Sequence, residues 1–202
     1  MKIINQSWNF IDEIDGLEIL KKLERIGRVS YKSEDKITED SAAKFVKMLI
    51  DSGHESTIEH VSLTVHIITD RGVSHELVRH RIASFTQEST RFCNYSKGKF
   101  GSELTFIQPV DFILDEFDYN ELDFIEEHYT KYIKNGSSPQ QARYFLPNGL
   151  KTELYMTMNL REWRHFFKLR TSPKAHPQMR ALALGMLSNL RHMIPVIFED
   201  IN

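Results

Sequence analysis

Cysteine is almost missing from this chain of 202 residues. The one present, Cys93, excludes an internal disulfide framework and any cysteine-based zinc cluster, and makes a reducing cytosol the expected home. A long apolar run is also missing, so no membrane-spanning helix is expected. The opening residues, MKIINQSWNF, lack a basic stretch followed by an apolar one, so no secretory leader is expected either. Strong net charge is absent: the total is −2, which argues against bulk electrostatic binding of polyanions and makes a nucleic-acid partner unexpected. No repeat, low-complexity tract or Pro/Gly-rich linker divides the sequence, which predicts a single domain over residues 1–202.

What is present suits a folded enzyme. Hydrophobic residues make up 41% of the chain and include 13 phenylalanines, enough for a sizeable core. Helical spacing appears at 16–26 and at 38–52, with Thr38 placed as an N-cap and Gly53 as the glycine that ends the helix. β-branched alternation at 61–69 predicts a strand. A helix carrying the Arg79-His80-Arg81 triplet at its C-terminal end should follow Arg71-Gly72 and fray near Ser84 into a polar loop through Ser89. Further strands are expected at 103–108 and 151–159. Further helices are expected at 111–134, from Ser138-Pro139 to Pro147, at 161–169 and from His176-Pro177 to His192, stopped by Pro195. Without strict strand–helix–strand alternation, the fold class is α+β, with a mostly antiparallel central sheet flanked by helices.

Charge is unevenly placed. Residues 111–127 hold eight carboxylates and no Lys or Arg, which reads as a solvated helix face. Residues 161–180 hold Arg161, Arg164, Lys168, Arg170, Lys174 and Arg180, interleaved with Trp163, Phe166 and Phe167. Guanidiniums beside aromatic rings suit a site for a flat ring and a phosphate together. The sharpest stretch is RHRIASFTQESTR. Arg79 and Arg81 bracket His80, and Ser89 and Arg91 follow a short polar segment. Such a cluster repels itself, and the planar guanidinium fork suits a phosphate that would compensate it.

Other arrangements exclude themselves. His54 and His60 are six apart, whereas zinc on a helix needs histidines four apart, and no metal site is expected. No Ser-His-Asp arrangement surrounds Ser89, and Cys93 reads as a small buried or half-buried residue, not as a nucleophile.

Arg79-His80-Arg81, seven residues and then Ser89 resembles the signature of the flavin-dependent thymidylate synthases, and Ser84, Gln87 and Arg91 extend the match. GHESTIEH, over 53–60, resembles a second element of that family, in which Ser56 contacts flavin and His54 lines the mouth of the site. Asn159, Leu160 and Arg161 match a third, and His165 a later flavin contact that is often Asn. Arg170, in FFKLR, matches the arginine that polarises the pyrimidine at N3. Arg143, in QARYFLP, matches one that holds nucleotide phosphate across a subunit boundary. Departures fall at Glu76, Thr86, Gln87 and Phe92, and AHPQMR replaces a segment usually reading AQxEIR. The similarity runs from about Arg28 to Arg180.

The resemblance implies a fold, an activity and a site. The fold would be that of the family. The reaction would convert dUMP to dTMP, with 5,10-methylenetetrahydrofolate as the one-carbon donor, FAD as the redox cofactor and NADPH as the reductant. The alternative is a related methyltransferase acting on another pyrimidine nucleotide such as UMP. Flavin would meet Ser56, Arg79, His80, Arg81, Gln87, Asn159, Leu160, Arg161 and His165. Nucleotide would meet Glu76, Leu77, Val78, Arg79, Gln87, Glu88, Ser89, Thr90, Arg91, Arg143 and Arg170, with Arg170 catalytic. A homotetramer with shared sites is implied, and a chain of this size without a Gly-rich dinucleotide fold has little room to enclose three ligands alone.

Overall fold

The alternation at 61–69 and 151–159 becomes two strands of nine residues each, Ser62–Asp70 and Lys151–Asn159. In both, every second side chain is buried, so one face meets the core and the other carries polar groups. A computed structural model describes residues 1–201. In chain order the strands are β1 (Lys2–Ile4), β2 (Ser7–Phe10), β3 (Ser62–Asp70), β4 (Ser84–Gln87), β5 (Thr105–Ile107) and β6 (Lys151–Asn159). The helices are α1 (Gly16–Arg28), α2 (Ser41–Asp51), α3 (Arg71–Leu77), α4 (Glu116–Lys134), α5 (Pro139–Ala142), α6 (Leu160–Arg170), α7 (Pro177–Met193) and α8 (Pro195–Phe198). A four-stranded sheet has the order β2-β3-β6-β4, and β1 pairs with β5 in parallel, Ile3 opposite Phe106. The class is α+β with an antiparallel sheet, as the mixed pattern predicts.

Two compact units share the chain. One comprises Met1–Trp8, His66–Arg79 and Phe85–Tyr155; the other comprises Asn9–Val65, His80–Ser84 and Met156–Asn202. The first unit has a core of Tyr95, Leu104, Phe106, Tyr129, Ala142 and Leu150, with Cys93 half-buried against it. In the second, Trp163, Phe166 and Phe167 of α6 and Leu182 and Met186 of α7 are all shielded from solvent, and the two helices touch. The Trp163 indole donates to the Leu63 carbonyl oxygen at 3.2 Å, so its polar atom is satisfied.

Several local expectations change. Helix α3 ends at Leu77, well before Ser84, and the segment read as a polar loop becomes β4 over Ser84–Gln87. The helix starts where Asp70 accepts the Val73 N–H at 2.7 Å, but it is only seven residues long. The Arg79-His80-Arg81 triplet therefore lies just beyond the helix, after the C-cap Val78. Thr38 is not the cap of α2, which begins at Ser41 after Asp40, while Gly53 does sit after its end with φ +73. Helix α4 starts at Glu116, where Asp115 and Asp118 form a capping box. Pro195 stops α7 and opens the short α8.

One buried cation positions the functional helix. Arg164 on α6 is 2% exposed. Its Nε donates to Glu55 at 3.1 Å, its two Nη groups donate to Asp200 at 2.6 and 2.7 Å, and Nη1 also donates to the Ile197 carbonyl. The hydrogen bonds from Arg164 hold the Asp200 carboxyl below its ordinary value. Arg164→Met should lower the stability of the fold by about 3 kcal/mol, the low end for breaking a buried pair because both carboxylates keep some solvent. Asp200→Asn should remove part of the acid dependence. The pair's contribution is full above the unfolded carboxylate value near about 4 and fades as pH falls through the lower native value. Urea midpoints between pH 7 and pH 3 measure both effects.

Candidate active site

In the second unit a cavity of about 580 Å³ is lined by Glu55, Glu59, Ile82, Asn159, Arg161, Glu162, His165 and Lys168. Asn159 ends β6 and caps α6, its side chain accepting the Glu162 N–H at 2.9 Å. That places Arg161, Glu162 and His165 on the first turns of the helix. Arg161 is exposed and donates to Glu59 at 2.6 Å, with Glu55 at 3.8 Å. Ser56 and Arg81 are also exposed. Leu160 is fully buried, and its N–H donates to the Val61 carbonyl at 2.9 Å, so its side chain serves the core. Nearby, Ile82, Ala83 and Ser84 line a second concavity together with Asn159.

His80 is the buried member of the triplet, 5% exposed, with Phe166 packed edge-on at 5.0 Å. Arg170 Nε donates to His80 Nε2 at 3.0 Å, and His80 Nδ1 lies 3.7 Å from Glu162 Oε1. Burial, then the positive charge of Arg170 and the neighbouring His165, lowers His80 to about 4, so it is neutral at pH 7. Burial also raises the Glu162 carboxyl. His80, Glu162 and His165 bring potential ligand atoms within 4.8 Å of one another, an arrangement that sequence spacing did not suggest.

In the first unit, four of the residues expected to meet nucleotide, Ser89, Thr90, Arg91 and Arg143, come together. Arg143 Nη1 donates to Thr90 Oγ1 at 3.2 Å, and Arg91 Nε donates to Gln140 Oε1 at 3.4 Å, where Gln140 and Arg143 adjoin at the end of α5. The Arg91 N–H donates to Ser89 Oγ at 3.3 Å. Arg143 thus reaches this cluster within its own chain. Phe92, 77% exposed, carries the Arg91 guanidinium 5.3 Å above its ring. Arg79 and Val78 are exposed, Glu76 is half-buried, and Leu77 is fully buried in the core.

Gln87 and Glu88 are tied inward. The Gln87 amide donates to Ser74 Oγ at 3.0 Å and to Thr152 Oγ1 at 3.1 Å. Glu88 accepts from the Tyr95 hydroxyl at 2.7 Å and from Lys151 at 3.1 Å. Both line a cavity of about 570 Å³ that also contains His66, Thr86, Lys99, Phe100, Lys151, Glu153 and Tyr155. Lys151 donates to Glu153 at 2.5 Å, His66 lies 3.2 Å from Glu153, and the His66 ring stacks on Tyr155 at 4.7 Å. Burial opposes the Lys151 charge, but Glu153 and Glu88 raise it overall. The hydrogen bond from Lys151 lowers Glu153. Sequence reading missed this group. The signal was the two-residue period itself, which puts 151, 153 and 155 on one face of β6. Glu162 was missed likewise, although it stands three residues before His165 on one helix.

A basic polar cluster beside short α5 and a polar cavity where β6 hands over to α6 are thus set in an α+β fold. The family described as "Thymidylate synthase complementing protein" matches residues 15–196. Among curated relatives, the chain is 32% identical to the flavin-dependent thymidylate synthase of Geobacter sulfurreducens over 167 residues, 82% of this chain and 72% of that one. It is 35% identical over 169 residues to the enzyme of the same name from Pyrococcus furiosus, covering 81% and 68%. The chain belongs to the flavin-dependent thymidylate synthase family. A crystal structure of the UMP/dUMP methylase PolB from Streptomyces cacaoi, bound with 5-Br dUMP, shares the fold at a TM-score of 0.75 and 24% identity, covering 98% of this chain and 96% of that one.

The neutral His80 sets a pH dependence. Its native value, about 4, is below the unfolded one near about 6.5, so the unfolded chain binds the proton first as pH falls. This contribution is complete above about pH 6.5 and disappears as pH falls to about 4, a loss of order 3 kcal/mol. His80→Gln should flatten the wild-type decline in urea midpoint between pH 7 and pH 4.5.

Proposed function

We propose that this chain converts dUMP to dTMP, taking the one-carbon unit from 5,10-methylenetetrahydrofolate, with FAD as redox cofactor and NADPH as reductant. Family membership and the meeting of Ser89, Thr90, Arg91 and Arg143 in one basic cluster carry this reading. In it, the cluster binds the nucleotide phosphate. Arg91 and Arg143 supply bidentate charge, and the Ser89 and Thr90 hydroxyls supply orientation. The pairings to Gln140 and Thr90 keep both guanidiniums in place before ligand arrives, which lowers the ordering cost of binding.

The second unit's cavity suits a flavin dinucleotide. Asn159 and His165 offer hydrogen-bonding groups, while Arg161 and Lys168 offer charge at its rim. Among the described residues Arg161 pairs with exposed Glu59 and, at 3.8 Å, with half-buried Glu55, and a pyrophosphate can take the place of the Glu59 carboxylate. When bound, the flavin supplies the hydride that takes the transferred carbon from methylene to methyl level. The chain's own share is positioning and electrostatics. Arg170 stabilises negative charge spread from C5 into the uracil carbonyl and N3. Arg79, His80 and Arg81 hold the cofactor, and the dUMP C5 proton leaves to solvent or a bound base. The folate departs as tetrahydrofolate.

A homotetramer with shared sites is part of this proposal, as is the whole chain acting as one catalytic domain. Large exposed apolar side chains support assembly: Phe112, Ile113, Phe117 and Phe124 line the approach to α4 and its outer turns, with Ile113 90% exposed. The same residues qualify the view of 111–127 as a merely solvated acidic face. Cytoplasmic location is likewise proposed, in keeping with a single free cysteine; among the described residues no helix is long and apolar enough to cross a membrane.

The scaffold is shared with an enzyme whose name covers both UMP and dUMP, so turnover with the two nucleotides side by side decides the substrate. The purified protein should be yellow, and its visible spectrum should shift on adding dUMP. Arg170→Ala should cut kcat by roughly 10²–10³-fold while the Kd for FAD moves less than about 3-fold. Arg143→Ala should raise the KM for dUMP by about 10–100-fold, the worth of one charged hydrogen-bonding contact. Equal losses of turnover and flavin affinity in Arg170→Ala would overturn its assigned role.

A further inference from the structure

His80 has one polar neighbour at each ring nitrogen, and the two neighbours demand the same protonation pattern. Arg170 Nε is a donor with no lone pair to offer, so Nε2, 3.0 Å away, must accept and carry no proton. A neutral imidazole then has its proton on Nδ1, the atom that faces the Glu162 carboxylate at 3.7 Å. That distance is too long for a formed hydrogen bond, but a carboxylate there still favours a proton on Nδ1 over a lone pair. Burial keeps the ring neutral, and the Phe166 ring at 5.0 Å restricts its rotation. Glu162 itself is placed by the capped first turn of α6, Arg170 by the last turn of the same helix.

We infer that Glu162 and His80 form a positioning relay for Arg170: the carboxylate selects the Nδ1–H tautomer, which presents Nε2 as an acceptor and thereby fixes the plane of the Arg170 guanidinium. This rests on the reading that Arg170 meets the pyrimidine. Neither Glu162 nor His80 need touch the reacting atoms. Their effect is to hold Arg170 in one direction, and misplacing a catalytic group by about 1 Å costs of order 10²-fold in rate. The third group facing the ring, His165, is exposed and adds repulsion against a second proton on His80.

A two-histidine, one-carboxylate set also has the composition of a transition-metal site. The hydrogen bond from Arg170 opposes that use. A histidine that binds metal through Nδ1 carries its proton on Nε2 and donates it outward, whereas Nε2 here receives a proton donor. Metal at this triad would require His80 to give up Arg170.

The test begins with nitrogen NMR of the intact protein labelled at histidine. His80 should show the Nδ1–H tautomer at pH 7 and remain neutral down to pH 5.5. An Nε2–H tautomer, or a charged ring at pH 6, overturns the relay. Glu162→Leu should shift His80 toward Nε2–H and lower kcat by about 10–100-fold, with the Kd for dUMP within about 3-fold. Unchanged kcat together with an unchanged tautomer also overturns it. If Glu162→Leu does not fold, Glu162→Ala is read in the same way. Zinc or manganese ions added at one equivalent should leave the His80 signals in place; their loss on stoichiometric binding would favour the metal site and sink the relay. A wild-type protein that never methylates dUMP defeats the functional reading instead, and the tautomer is still read independently of activity.

Discussion

Arg164 is the constraint on which the second unit's functional surface depends. A guanidinium that is 2% exposed must satisfy its donors inside the protein, and it does so with three residues on two separate segments. Glu55 opens the 3₁₀ turn Glu55–His60, Ile197 lies in α8, and Asp200 follows that helix. Because Arg164 sits in the middle of α6, the same contacts set the helix that carries Asn159 at its cap, Arg161 and Glu162 on its first turn and Arg170 at its end. Three aromatic residues of α6, Trp163, Phe166 and Phe167, are fully buried around it. The helix is therefore fixed from its core by packing and from within by charge, and its solvent-facing residues inherit that rigidity.

The sheet contributes a second kind of order. Strands β3 and β6 separate core from polar groups by the pleat alone. On β6, Thr152, Leu154, Met156 and Met158 go inward while Lys151, Glu153, Tyr155 and Thr157 do not. Thr64 and Thr157 join hydroxyls at 3.0 Å, and His66 and Glu153 come within 3.2 Å. These pairings need no special loop. They follow from two strands in register, each with polar residues at alternate positions.

Much of this was written in the sequence, for identifiable reasons. β6 was legible to the residue because a full nine-residue alternation has no helical counterpart, and α1 and α7 because their apolar spacing is long. β4 was not legible: SFTQ is only four residues long, and it owes its strand to pairing along β6, continued by the Glu88 N–H to the Glu153 carbonyl at 2.9 Å. The overlong reading of α3 had the same origin, since local spacing carries no notice of where a partner strand will capture the chain. Of the candidate site residues, Arg170, Arg143, Ser89 and Asn159 were named through motif spacing. Glu162, Lys151 and Glu153 were not, because an isolated carboxylate or amine on an exposed face looks the same whether it is solvated or facing a cavity. Leu160 and Leu77 matched family positions, yet their side chains belong to the core, which motif spacing alone does not distinguish from ligand contact.

Gln87 commits both amide hydrogens to hydroxyls, and the Ser74 hydroxyl in turn donates to the Arg71 carbonyl at 2.9 Å. An isosteric exchange to Glu would turn two donors into acceptors. Thr152 could reverse its hydroxyl, but Ser74 would have to abandon Arg71 and the opening turn of α3 to do the same. Residue 87 and the start of that helix are thus coupled through a single rotatable proton. Evolutionary movement between the amide and the acid at this position should be accompanied by change at 74.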